Sequence, residues 1–273
     1  MTDPGKSSPT ALEESKDRRR WRWSPAEGIR GPCKLWWDSP RRFQRHELFV
    51  TDESRRALFP HRIASTGEDR MEVQLGNLEP LATLDFEDLG DASAFSLFHS
   101  LGRRLREVHG LRCAARFGDH LYGTTYRTFN GFMAAEFGAL GARFRRLEDG
   151  VQRDRAMELI AELRHELSGF HPYGRSCWTV GRLSPERIAI RTTPREVVGF
   201  LDFGSAALRP PEYDLASMRA EGVLASHPRA ERGFWKGYDA ALTRDLERRI
   251  LYFERLIALE KVLGCPALLS TEE

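Results

Sequence analysis

Three charged residues in the last third of the chain have the chemistry for work on phosphate or carboxylate groups. Asp202 ends an apolar run, and its carboxylate is a good ligand for a divalent cation. Arg182 and Arg187 precede it, and a guanidinium group neither accepts a proton at neutral pH nor coordinates a cation. The segment therefore predicts either an ion pair between an arginine and Asp202, or an anion site formed by Arg182 and Arg187.

The sequence contains no residue pattern typical of zinc, thiol or serine-hydrolase catalysis. The histidines and cysteines are scattered, so the sequence contains no ligand set for zinc and no dense disulfide framework. Cys177 lies near the arginines, but nothing in its sequence neighbourhood would activate its thiol. A serine-hydrolase motif is also missing. The pattern excludes a metal hydrolase and predicts no structural metal.

The overall composition is that of a globular chain without a dominant charge. The 273 residues are 41% hydrophobic and 30% charged, and their net charge is only +2. So small a charge gives no general attraction to a nucleic acid or an anionic membrane. The sequence has neither a bilayer-spanning apolar stretch nor a signal peptide. We therefore expect a cytoplasmic protein with no membrane or nucleic-acid partner.

Hydrophobic periodicity divides the chain into a leader and two lobes. Residues 1–20 are polar and charged, which predicts a flexible leader. Residues 21–88 carry short apolar runs between Pro and Gly, a pattern typical of a small sheet-containing lobe with one short helix. Residues 89–273 predict a mainly helical lobe, because apolar residues recur there with the helical period.

A predicted β-hairpin interrupts the helical lobe and positions Asp202. Its strands are expected at 187–190 and 197–203. Helices are expected from about residue 91 to Gly110, at 127–147, before Gly169 and at 243–263, the last with Thr243 as its N-cap. The predicted core residues are Leu101, Leu105, Leu163, Leu183, Leu201, Phe203, Leu215, Ile250 and Phe253.

The stretch FLDFGSAALRPPEYDLASM at 200–218 resembles the aminoglycoside phosphotransferase and choline kinase family. In this match Asp202 corresponds to the family's metal-binding Asp and Asp214 to its buried structural Asp. The strings LGRRLREVHG at 101–110 and WKGYDAAL at 235–242 are similar to two of the family's helices. The resemblance implies a two-lobed, protein-kinase-like α/β fold, with a small β-containing N-terminal lobe and a mainly helical C-terminal lobe.

The resemblance also shows where this chain departs from the family. The family's catalytic loop reads His-Gly-Asp-Leu-His-Pro-x-Asn, and the matching stretch here is VGRLSPER at 180–187. Arg182 takes the position of the catalytic Asp, and Arg187 takes the position of the metal-binding Asn. Because neither arginine can perform the role of the residue that it replaces, the match predicts no catalytic residue by the family mechanism.

The same resemblance assigns nucleotide-binding roles in the small lobe. Lys34 and Glu47 match the family's phosphate-binding Lys and its helix partner, and Gly28 and Gly31 match its phosphate-covering turn. On this assignment ATP and Mg²⁺ are the implied cofactors, with Asp202 as the remaining metal ligand. The alternative is that Lys34 and Glu47 are solvated surface residues, so the sequence leaves ATP binding open.

Three hypotheses for the function follow. The first is a pseudokinase that acts as a binding or accessory subunit, with a protein or peptide partner or a phosphate-containing ligand. The alternative is an atypical ATP-dependent phosphotransferase acting on a hydroxyl of a small molecule or of a Ser/Thr peptide. The residue that orients the hydroxyl would then be Glu186, Asp119, His171 or Glu166. The third places the chain in a complex that modifies peptide natural products.

Overall fold

The computed structural model describes most of the chain from residue 78 onward and separate pieces before it. The described residues are 23–25, 32–36, 40–51, 62–66, 70–74, 78–111, 113–119, 124–170 and 176–264. No helix within these ranges is long and apolar enough to cross a membrane. The expected leader at 1–20 lies outside the described residues.

Before residue 78, the described residues form a small antiparallel sheet and one helix. Its strands occur in the order β1-β2-β4-β3. Short apolar runs form these strands, and β2 pairs along its whole length with β4. The helix α1 follows β2 and carries the buried residues Phe43, Phe49 and Val50. The bounds are β1 Trp23–Pro25, β2 Pro32–Trp36, α1 Pro40–Thr51, β3 Arg62–Thr66 and β4 Arg70–Gln74.

Six helices form most of the C-terminal part. Three of them begin at a side-chain cap, since Thr128 accepts a hydrogen bond from the Gly131 amide, Asp149 from the Gln152 amide and Thr243 from the Leu246 amide. The predicted helices are therefore present, with boundaries within a few residues of those expected. The bounds are α2 Asp91–Gly110, α3 Phe129–Phe144, α4 Gly150–Leu167, α5 Glu212–Ala220, α6 Ala230–Tyr238 and α7 Arg244–Gly264.

Two further sheets lie among the helices. The predicted hairpin is confirmed as β10 (Ile188–Thr192) and β11 (Arg195–Phe200), and β5 (Leu78–Pro80) pairs with β10. The other sheet has the order β6-β9-β12-β7-β8 and was not predicted, because its strands are only two to four residues long. The bounds are β6 Cys113–Ala114, β7 Phe117–Asp119, β8 Thr124–Tyr126, β9 Ser176–Thr179 and β12 Ala207–Arg209.

The hydrophobic core surrounds α2 and the hairpin. All nine predicted core residues are buried, and the least buried of them, Leu215, is 2% exposed. Helices α2 and α6 approach closely because glycine lies at their contact. A Cβ atom at Gly237 would lie 1.9 Å from the carbonyl oxygen of His99, a separation that no side chain can adopt. This packing places the two predicted family helices against each other, and α2 also packs against β11 of the hairpin that precedes Asp202.

Candidate functional site

Asp214 binds the backbone of the segment 180–187 through its carboxylate. Its carboxylate accepts hydrogen bonds from the backbone amides of Val180 at 2.7 Å and Gly181 at 2.9 Å. The backbone amide of Leu183 donates a hydrogen bond to the Ser217 hydroxyl at 2.8 Å. Asp214 and Ser217 both lie on α5, so one helix face fixes the backbone on either side of Arg182.

Gly181 is required by the path of this segment. Its φ of +107° lies in a region that L side chains rarely adopt. A Cβ atom there would also lie 2.5 Å from the backbone carbonyl oxygen of Ser205. The close approach brings the segment against the residues that follow Asp202. The positive φ and the contact with Ser205 therefore both fix the backbone conformation just before Arg182.

A buried polar chain supports Asp214. The Nε2 atom of His109 lies 3.1 Å from Asp214 Oδ2, and its Nδ1 atom lies 2.7 Å from the Tyr238 hydroxyl. Because an ionised carboxylate only accepts, Nε2 carries the proton and Nδ1 accepts from Tyr238. Burial raises the pKa of Tyr238, so the hydroxyl keeps its proton. The chain links α6, α2 and α5 to the segment.

Asp202 is buried and faces Arg187. One carboxylate oxygen accepts a hydrogen bond from the Gly204 amide at 2.6 Å. The other lies 3.4 Å from Nη2 of Arg187, and the two side chains are 1% and 8% exposed. Arg187 also donates from Nη1 to the backbone carbonyl of Arg182 at 2.9 Å. A guanidinium group is thus fixed against the carboxylate that the family match assigns to a metal.

These residues do not fit a divalent cation site. No group of three or more His, Cys, Asp or Glu side chains in the described part of the chain could hold a metal ion. The second position implied by the family match is Arg187, which supplies positive charge and no lone pair. A cation at Asp202 would therefore meet a fixed guanidinium at short range.

Helix α1 closes over the other side of the Asp-Phe-Gly stretch. His46 is fully buried, and its Nδ1 atom accepts a hydrogen bond from the Phe203 amide at 3.1 Å. Phe49 stacks on the Phe203 ring with 4.2 Å between centroids. Arg45 donates to the Gly204 carbonyl at 2.8 Å and pairs with Asp119. Sequence reasoning missed these α1 contacts, because the partners are 74 or more residues apart.

Burial also determines the charge of His46. It lowers the pKa of His46 to about 4, and the nearby negative charge of Asp202 opposes this only in part. The imidazole is therefore neutral at neutral pH. A neutral ring can accept the hydrogen bond from Phe203 through Nδ1, whereas the imidazolium form could not.

Arg182 points away from Asp202. Its side chain is 47% exposed, and its Nη2 atom lies 3.7 Å from Glu260 on α7. Glu260 in turn accepts a hydrogen bond from the Tyr213 hydroxyl at 2.9 Å. Arg182 and Arg187 thus have different carboxylate partners, and only Arg187 faces Asp202.

The remaining predicted site residues are spread over the molecule. Lys34 lies in β2, where its backbone pairs in register with Ser24 and Glu72, and its predicted pairing with Glu47 stays a prediction. Gly28, Gly31 and His171 lie outside the described residues.

The three other residues considered as replacements for the catalytic Asp also have defined positions. Glu166 belongs to α4 and accepts from Arg255 at 2.8 Å. Glu186 is exposed within the segment 180–187. Asp119 pairs with Arg45, which also contacts Gly204, so of the three it is the one linked to the Asp-Phe-Gly stretch.

The fold and this cleft define a protein of the protein-kinase-like phosphotransferase class. The model of the phosphotransferase enzyme family called APH matches residues 75–252, which is more than half of the chain, and the chain belongs to that family. The family expected from the motifs is thereby confirmed. No curated protein sequence matches the chain.

Solved phosphotransferase structures share the fold at low sequence identity. A thermostable mutant of the aminoglycoside phosphotransferase APH(4)-Ia is 11% identical, over 92% of this chain and 88% of that chain, with a TM-score of 0.64. The streptomycin-ATP ternary complex of APH(2")-IIa is 11% identical, over 93% and 92%, with a TM-score of 0.57. Macrolide 2'-phosphotransferase MphH from Brachybacterium faecium is 18% identical, over 92% and 82%, with a TM-score of 0.52. These likenesses show the two-lobed fold.

Proposed function

We propose that this protein is a pseudokinase of the phosphotransferase family that acts as a binding or accessory subunit for a protein or peptide partner. The observation that carries the proposal is the buried contact between Arg187 and Asp202. The guanidinium supplies within the chain the positive charge that a metal ion would otherwise bring to this carboxylate. The cleft is then neutralised without a cation.

The position of Arg182 supports the same proposal. Phosphoryl transfer depends on an orienting group for the attacking hydroxyl and on metal ions that neutralise the phosphates. Arg182 stands in the loop where the orienting carboxylate of the family belongs, and its side chain turns toward Glu260. A guanidinium there can bind an acceptor group of a partner, but it cannot take a proton from a hydroxyl.

The alternative is an ATP-dependent phosphotransferase that acts on a hydroxyl of a small molecule or of a Ser/Thr peptide. The well-held backbone of the segment 180–187 favours it, because positioning supplies much of the rate of phosphoryl transfer. A solved relative binds both ATP and streptomycin. Asp119 would be the first candidate for an orienting carboxylate in this case.

The deciding experiment measures ATP binding by calorimetry with and without Mg²⁺, and phosphoryl release from labelled ATP in the same samples. The proposal predicts that Mg²⁺ leaves the affinity unchanged and that no phosphate is transferred or released. Asp202→Ala is the test variant. Asp91→Ala is its matched control, because Asp91 is an exposed carboxylate that also pairs with an arginine, Arg229.

Magnesium-dependent tightening that Asp202→Ala abolishes and Asp91→Ala leaves intact would overturn the proposal. The double variant Arg182→Asp/Arg187→Asn returns the two family residues to the segment. If the cleft has merely lost these residues, the double variant should gain Mg²⁺-dependent ATP binding. An unchanged double variant would indicate that the cleft has been rebuilt for another ligand.

A further inference from the structure

Arg209 lies near Arg182, since both guanidinium groups are close to Tyr213. It ends β12, and its guanidinium carbon lies 4.2 Å from the centre of the Tyr213 ring. Tyr213 is 3% exposed and donates its hydroxyl hydrogen to Glu260, so the ring is held in place. This contact holds the guanidinium over the ring, and its N–H groups are potential hydrogen-bond donors.

No hydrogen bond or ion pair within the described residues uses those N–H groups. Two other arginines stack in a similar way, Arg164 over Phe137 at 5.6 Å and Arg248 over Phe170 at 4.8 Å. Both of these are exposed, whereas Arg209 is half-buried and its guanidinium nitrogens still reach solvent. The N–H groups of this half-buried guanidinium have no acceptor within the described residues, so they can pair with an acceptor group on a bound ligand.

The charges around Arg209 restrict the kind of acceptor. Burial alone would lower the pKa of Arg209, but the nearby carboxylates of Glu136, Glu260 and Asp214 outweigh it and raise the pKa. Arg209 is thus permanently charged. Burial also raises the pKa of Glu136, and the nearby charge of Arg209 opposes this.

We propose that Arg209 is the binding group for a carboxylate of the partner, in a site formed by Arg209 and Tyr213 with Arg182 and Glu260 at its rim. The flat guanidinium edge matches the two oxygens of a carboxylate. A phosphate dianion would be repelled more strongly than a singly charged carboxylate, because Glu136 and Glu260 lie close by. The inference rests on the proposed role of the cleft as a binding site.

A carboxylate could come from a small acid or from a peptide, and matched probes separate the two. Acetate and acetamide differ in the carboxylate alone, as do N-acetylglycylglycine and its C-terminal amide. Each is titrated into ¹⁵N-labelled full-length protein while the Nε–H resonance of Arg209 is followed by NMR. The resonance is assigned from its loss in Arg209→Gln.

We expect both acids to shift the resonance saturably and both amides to leave it in place. Tighter binding of the peptide acid would identify a peptide terminus or acidic side chain as the source, and equal binding would identify a small acid. Arg209→Lys keeps the charge but loses the paired N–H edge, so affinity for the acids should fall about tenfold or more, as monitored at the Tyr213 amide. Arg164→Gln is the control and should bind the acids like the native protein.

Acids that shift the Arg209 resonance no more than their amides would overturn the site. Acids that bind equally strongly to Arg209→Lys and to Arg164→Gln would also overturn the site. These results do not depend on the ATP experiment. Phosphoryl transfer detected there would refute the pseudokinase while leaving the carboxylate titration to be judged by itself.

Discussion

The buried pair of Arg187 and Asp202 should respond to mutation in a way that an ordinary surface pair does not. Replacing Arg187 by Met keeps most of the side-chain volume and leaves Asp202 without its guanidinium. Replacing Asp202 by Asn keeps an acceptor for the Gly204 amide and leaves Arg187 without its carboxylate. Each single variant therefore removes the ion pair and leaves one of its two buried charges in place, whereas the double variant Arg187→Met/Asp202→Asn removes both charges.

The size of the effect follows from the burial of the pair. Both side chains are less than one-tenth exposed, and removing one partner of such a pair costs about 3–5 kcal/mol of the free energy of unfolding. The double variant should be destabilised by far less than the sum of the two single variants. For a chain of this size, each single variant should melt roughly 6–20 °C below the native protein.

The assay is urea unfolding followed by tryptophan fluorescence, with Arg229→Met as the control. Arg229 and Asp91 form a pair at 2.8 Å, but their side chains are 46% and 64% exposed, so the control should cost less than about 1 kcal/mol. Single variants no less stable than the control, or a double variant as unstable as the sum of the singles, would refute the reasoning. Arg187 would then not neutralise Asp202.

Two further predictions concern the backbone of the segment and the helix that covers it. Gly181→Ala should destabilise the protein by about 2 kcal/mol or more, because the residue combines a φ of +107° with the close Ser205 carbonyl. The control is Gly222→Ala, at a φ of +70° and with no atom near the added Cβ. It should cost only about 1 kcal/mol in the same urea unfolding assay. A Gly181→Ala protein as stable as Gly222→Ala would show that the approach to Ser205 is not fixed. The second prediction concerns pH. The pKa of His46 is about 4 in the folded protein and about 6.5 in the unfolded chain, so the unfolded chain binds the proton first as the pH falls. About 3 kcal/mol of the free energy of unfolding, present above pH 6.5, should therefore be lost as the pH falls toward 4. His46→Asn keeps an acceptor for the Phe203 amide and should flatten this dependence in urea titrations at pH 7 and pH 4.5; an unchanged slope would assign it to another group.

The resemblance and the local patterns were sufficient for the fold and for the register of the segment 180–187. Helices with long apolar stripes and local caps were predicted to within a few residues, because these signals act between neighbours in the chain. The five-stranded sheet was not predicted. Its strands are too short to carry a period, and their pairing joins residues as far apart as Leu208 and Gly118.

The sequence by itself determined which residue types stand in the cleft. Gly181, Leu183 and Pro185 align the segment with the family's loop, and this register places Arg182 and Arg187 at the two positions that the family uses for catalysis and metal binding. The loss of a proton acceptor and of a metal ligand at these positions follows from the identity of the side chains.

Only the tertiary structure decided what each charged group faces. Arg187 turns to Asp202, Arg182 turns to Glu260, and Arg209 stacks on Tyr213. None of these orientations can be read from the chain, because long side chains reach any of several neighbours and packing between distant elements selects one. Packing of α1 against the Asp-Phe-Gly stretch and of α7 against α5 makes that selection here, and with it the charge that a partner would meet in the cleft.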